Sequence, residues 1–134
     1  MASGIYTRFK STLMKKLMDL VNDTIKVALY GNSHSFSAAG TAYSSTNEIA
    51  NGNGYTTGGA TLGSKTVTEA GTTAVFDAAD TSWAASTFST YHAVLYDPTP
   101  CNTLICSIDF GGVQTVTSGT FTITYASSGI IILS

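Results

Sequence analysis

TLICSIDF, residues 103–110, and GTFTITYA, residues 119–126, decide the fold. In the first, Leu104, Cys106, Ile108 and Phe110 recur at every second position. In the second, Phe121, Ile123 and Tyr125 alternate with Thr120, Thr122 and Thr124. A period of two puts successive side chains on opposite faces of a strand. Working outward, SKTVTEA (64–70), TAVFDA (73–78) and TYHAVLYD (90–97) read the same way, and DTIKVALYG sets Ile25, Val27 and Leu29 against Lys26, Ala28 and Tyr30. Turn residues separate these runs: DPTP at 97–100, GG at 111–112, SG at 118–119 and SSG at 127–129. About eight short strands at near-regular spacing predict an all-β domain, a two-sheet sandwich of jelly-roll-like type. Ile130–Leu133 is apolar on both faces, so it is expected as a central strand or one covered by another subunit.

Composition agrees. The 134 residues are one domain's worth, 1–134, and enough to enclose a core. Only 10% are charged, against a usual share of about 25%, and polarity comes instead from 22 Thr and 16 Ser. Thr is β-branched and suits a half-solvated pleated surface. So little charge suits a protein packed against neighbours. Residues 1–26 carry net +3 and residues 27–134 net −5. No tight Lys/Arg cluster with interleaved aromatics marks a nucleic-acid partner, and no signal peptide or membrane span is expected.

TRFKSTLMKKLMDLVN, residues 7–22, reads as one amphipathic α-helix ahead of the β-sandwich at 23–134. Phe9, Leu13, Leu17 and Leu20 recur at helical spacing, and Met14, Met18 and Val21 widen the stripe. Ser3 or Thr7 is placed to cap its start. The expectation is that the whole stripe packs on the chain's own sheet and closes the core; the alternative is that part of it, Met14 and Met18 above all, docks on another subunit. Residues 32–63 are rich in Ser, Ala, Gly, Asn and Thr and read as a long loop, or two short edge strands joined by one, forming an arm that orders on a neighbour. The predicted contact residues are therefore Phe9, Leu13, Met14, Leu17 and Met18 of the helix, Tyr43 and Tyr55 of the loop, and Ile130 and Ile132 of the last strand.

Little resembles chemistry. His34 and His92 are isolated from the acids in sequence, and His92 falls on the strand face opposite Tyr91, Ala93 and Leu95, where an exposed or interface histidine is the expectation. No G-x-S-x-G elbow, EF-hand loop or phosphate-binding loop occurs, so no enzyme activity, metal or cofactor is expected. Asp77 and Asp80 in FDAADTSW read as local caps. Cys106 fits an inward strand position as a small buried hydrophobe, whereas a bond to Cys101 runs against cytoplasmic synthesis. Trp83 and the seven tyrosines are scattered, which favours packing over sugar stacking.

Four stretches carry a family resemblance: YTRFKSTLMKKLMDLVNDTIKVALY, EIANGNGYTTGGATL, FDAADTSWAASTFSTYHAVLYD and GTFTITYASSGIIIL. In order and spacing the chain resembles small virion proteins of tailed bacteriophages, those labelled head decoration (cement) or tail fibre proteins. The resemblance implies a virion protein without catalytic residues, made in the bacterial cytoplasm and carried on the capsid exterior. Its partners would be the major capsid protein, or tail proteins, and copies of itself. The alternative it implies is a tail-associated or receptor-binding protein touching host glycans. Long shaft repeats are absent, which favours the head.

Overall fold

The computed structural model describes residues 4–99 and 101–133; Ser3, Pro100 and Ser134 fall outside them. Its elements are β1 (Gly4–Ile5), α1 (Thr7–Met14), β2 (Lys26–Tyr30), β3 (Ala60–Thr61), β4 (Thr66–Ala70), β5 (Thr73–Asp77), β6 (Thr81–Asp97), β7 (Thr103–Ile123) and β8 (Ile131–Leu133). They form two antiparallel sheets, a five-stranded one ordered β1-β7-β6-β2-β3 and a three-stranded one ordered β4-β5-β8. The fold is the expected one, mostly β in two sheets with a single N-terminal helix.

The strands are fewer and longer than the turn residues predict. β6 and β7 run 17 and 21 residues as one hairpin, and residues 81–89, outside the expected strands, belong to β6. Two of the four expected turns, GG at 111–112 and SG at 118–119, are instead bulges, while those read at 97–100 and 127–129 do fall between strands. Thr90 faces Gln114 while His92 faces Asp109, so Phe110–Val113 with its two glycines bulges out of β7, and Ser118 at φ 46° marks another bulge. Gly and αL residues terminate strands or bulge them with equal ease, and the long partner strand decides between the two. A further bulge inserts Ile105 between the pairs Leu95–Cys106 and Tyr96–Leu104. It breaks the alternation read at 103–110: Leu104 faces an outer cluster while Cys106 faces the main core.

The helix is shorter than expected, ending at Met14 rather than residue 22. Lys16 N–H donates to Leu13 carbonyl and Leu17 N–H to Thr12 carbonyl, with Lys16 at φ 61°. That is a Schellman stop with lysine where glycine is usual. Beyond it, the Asp19 carboxylate accepts the Val21 and Asn22 N–H groups, both at 3.0 Å, and so competes with helix propagation. Tyr6 stands at the N-cap position, with no side-chain cap, and the Thr7 N–H instead donates to the Ala38 carbonyl. Eight residues are too few to hold a helix alone. Phe9, fully buried, anchors it to the core, a burial worth about 2–3 kcal/mol.

Both faces of the five-stranded sheet are covered. Ile25, Val27 and Leu29 point into the main core with Leu95, Ile105, Trp83, Ile123 and, from the second sheet, Phe76 and Ile131. Ala28, Tyr30, Val94 and Tyr96 point the other way, under a second cluster with Tyr6 and Leu104. What covers that second face is the 32–63 segment, which packs on its own sheet rather than standing out as an arm. Glu48 ties it down, its carboxylate accepting the hydroxyls of Tyr43 and Tyr55 and the Gly58 N–H at 2.8 Å. Tyr55 OH in turn accepts the Leu29 N–H at 3.0 Å, Tyr96 OH donates to Gly58 carbonyl at 2.6 Å, and Tyr30 OH donates to Ser44 carbonyl at 2.6 Å. Burial, then the bonds to Glu48, push the Tyr55 and Tyr43 hydroxyls well above the usual phenol range, so they stay protonated donors.

Two substitutions test this account. A Cβ on Gly59, at φ 85°, would stand 1.8 Å from the Val27 carbonyl oxygen, so Gly59→Ala should lower stability by about 3 kcal/mol or more in urea unfolding. Lys16→Gly relieves the left-handed residue of the Schellman stop and should raise stability by roughly 1 kcal/mol in the same assay.

Candidate functional site

An open groove of about 600 Å³ lies between the helix with its following segment and the three-stranded sheet. The Schellman stop turns the chain at Lys16, so Leu17–Val21 run across the small sheet instead of continuing the helix. The other wall is one face of that sheet: Val67 and Ala74, then Phe76, Ile131 and Leu133. Phe9, Met18 and Phe76 form the buried floor. Leu17 and Val21 on one wall, Val67 and Leu133 on the other, stand exposed. Met14, 87% exposed, ends the helix beside it, and Ile132 sits on its last strand. Among the described residues, Val113 is the one other large apolar side chain so exposed. Such a concentration on a charge-poor surface is unusual for an isolated protein.

The nine predicted contact residues divide. Met14, Leu17 and Ile132 are exposed, while Leu13 and Ile130 are half-buried against the core. Phe9 and Met18 are buried in the chain's own core, so Met18 is not a displayed docking residue. Tyr55 is buried in the main core beside Trp83 and Phe88, and Tyr43 stacks on Tyr96 with ring centroids 4.3 Å apart. The loop tyrosines serve the Glu48 network. Val67 and Leu133 were missed; in Thr-rich TVTEA the single valine is the apolar member of the alternation, which was the available signal.

One end of the groove is polar. Asp19 and Asp23 line it with Lys16, and Lys65 donates its ammonium to the Asp23 carbonyl. Behind Asp23 lies Asp97, with no exposed surface, accepting the Thr99 N–H at 2.8 Å. Burial, then the neighbouring Asp23 carboxyl, push the Asp97 pKa up to about 7. No group of three or more His, Cys, Asp or Glu among the described residues is arranged to hold a metal. Asp77 caps the adjacent Ala78 N–H, as expected, whereas Asp80 accepts the Tyr125 N–H, 45 positions on, rather than acting as a local cap.

His92 is not exposed. The segment over the second face buries it, and its ring meets His34 edge-on at 5.1 Å. His34 Nε2 lies 3.2 Å from Ser107 Oγ, and His92 Nδ1 lies 3.8 Å from Asp109 Oδ1. These four do not make a triad: the carboxylate adjoins His92, whereas the serine adjoins His34, and Ser107 is buried between strands. Burial lowers both histidine pKa values. Both cysteines are free, Cys101 exposed and Cys106 buried, and burial pushes the Cys106 thiol up to about 12. Trp83 and all seven tyrosines are buried or half-buried, so no exposed aromatic platform is formed among them.

No family model, curated protein or solved structure matches this chain. Its class therefore rests on its own geometry, a two-sheet β-domain with one short helix and an apolar groove between helix and small sheet.

The Asp97 proton gives a pH signature. Its folded pKa lies above the unfolded value of about 3.9, so its contribution is full below pH 4, declines as pH rises toward 7 and is flat beyond. The two histidines act oppositely, contributing fully above pH 6.5 and losing that contribution as pH falls. Asp97→Asn, which keeps an acceptor for Thr99, should gain on the parent chain steadily from pH 4 to 7, by a few kcal/mol at most. Urea unfolding at each pH measures the difference.

Proposed function

We propose that this chain is a non-enzymatic structural subunit of a bacteriophage virion, a cement protein that bridges and stabilises neighbouring major capsid protein subunits. One observation carries the reading: the apolar groove with Met14, Leu17, Val21, Val67 and Leu133 exposed around it. A neighbour's apolar segment seated there would remove that surface from water, at about 25 cal/mol per Å². The motif resemblance supplies the particle, since the groove by itself fits any apolar partner. Individually modest contacts suffice in this role, because many copies act on one shell. The burial of Trp83 and the tyrosines weighs against a sugar-stacking receptor-binding role.

Purified virions should carry the chain on the capsid exterior in cryo-electron microscopy, and virions lacking it should release DNA at a lower temperature. Virions equally heat-stable but unable to adsorb would overturn the cement role. Met14→Glu with Leu17→Glu changes two exposed side chains, so the isolated protein should keep its stability within about 1 kcal/mol. Its binding to virions lacking the wild-type chain should fall at least about tenfold.

A further inference from the structure

A strand at a sheet edge offers unpaired backbone groups, and proteins blunt such edges with shortness, charge or cover. The outermost strands of the two sheets are β1, β3, β4 and β8, and three of these are blunted, while bulges interrupt the open side of β7. β1 and β3 are two residues each, and β4 is a fully exposed strand carrying Glu69 among threonines. The fourth, β8, is Ile-Ile-Leu, uncharged and open on the side away from β5 among the described residues. The sequence reading, that so apolar a strand is central or covered by another subunit, loses its first alternative.

The hydrogen-bond pattern identifies what β8 offers. The Phe76 carbonyl accepts the Ile130 N–H at 2.8 Å and so faces β8. Backbone groups alternate sides along an antiparallel strand, so those of Val75 face β4, and those of Ile132, directly opposite Val75, face outward. Ile132 thus presents a free N–H and a free C=O on the same side, with its side chain half-exposed.

We propose that β8 pairs antiparallel with β8 of a second copy of this chain, about a two-fold axis at Ile132. The two Ile132 residues exchange both hydrogen bonds, and Ile131 of each copy stands opposite Leu133 of the other. The two small sheets become one of six strands. The strand is self-complementary for this purpose: one residue supplies donor and acceptor together, and every side chain in the pairing is apolar. A second copy fits better than an acidic or basic partner because β8 carries no charge to complement one. The chain's net charge of −2 also gives two copies little mutual repulsion. Closed two-fold pairing caps the edge, so the association stops at the dimer. It deepens the structural-subunit reading by naming the self-contact, and rests on that reading for its setting alone.

Sedimentation of the purified full chain should show a concentration-dependent dimer. Ile132→Pro removes the outward N–H without taking a bond from β5, and should weaken the dimer at least about tenfold while thermal unfolding stays cooperative. The paired residues would sit about 5.5 Å apart at Cα, within disulfide range. Ile132→Cys with Cys101→Ser should therefore cross-link to dimers under mild oxidation, whereas Val113→Cys in the same background should not. A single-chain mass up to about millimolar concentration, or a dimer that Ile132→Pro leaves intact, overturns the pairing. A chain that stays monomeric yet binds virions overturns it and leaves the cement role standing. A chain that dimerises through Ile132 yet is missing from the capsid supports the pairing and sinks the cement role.

Discussion

The pairing of β6 with β7 is the constraint on which everything else hangs. Its strands supply residues to both clusters of buried side chains. Its irregularities are placed rather than random. The bulge at Ile105 sends Leu104 to one face and Cys106 to the other, and the bulge at 110–113 re-aims the strand past His92 and Asp109. Without the first bulge, Leu104 would crowd the main core and the outer aromatic cluster would lose a wall. β2, the helix and the small sheet then pack on surfaces the hairpin has already set.

Covering the second face follows from the same logic. A sheet with Tyr30, Val94 and Tyr96 on its outer side must hide them, and the chain spends the segment 32–63 on doing so. Such a loop has many backbone groups and few apolar side chains, so hydrogen bonds rather than burial must hold it. One carboxylate, Glu48, collects three donors, and the phenols that donate to it or beside it also anchor β2 and the loop. Charge-assisted bonds of this kind are among the stronger ones available to a protein. Here they do the work that strand pairing does elsewhere.

Much of this was legible in the sequence, for reasons that also explain the rest. Alternation reports which side chains face a core, so Ile25, Val27, Leu29, Phe121 and Ile123 were placed correctly. It cannot report that a strand continues through a bulge, because GG and SG are equally good in a turn. Helical spacing located Phe9, but it continued past Lys16, where a left-handed residue other than glycine gave no warning. His92 was read as exposed or at an interface because its cover includes His34, far earlier in the chain, and no local pattern carries so distant a contact. At the groove, Leu17 was legible from the helical row and Met14 from the residues that widen it, whereas Val67 and Leu133 required knowing which sheet face the helix leaves uncovered.

The hydroxyl-rich surface has a consequence for the conditions the molecule tolerates. Along the distal hairpin, cross-strand pairs are Ser82 with Thr122 and Ser89 with Thr115, at 3.0 and 2.9 Å, where other β-proteins set lysine against glutamate. Among the described residues the one ion pair is His92 with Asp109, and its histidine has a lowered pKa and carries no charge near neutrality. Dissolved ions weaken charge–charge attractions within about 10 Å at 0.1 M, yet leave hydroxyl bonds and apolar contacts nearly untouched. A fold joined this way depends little on ionic strength.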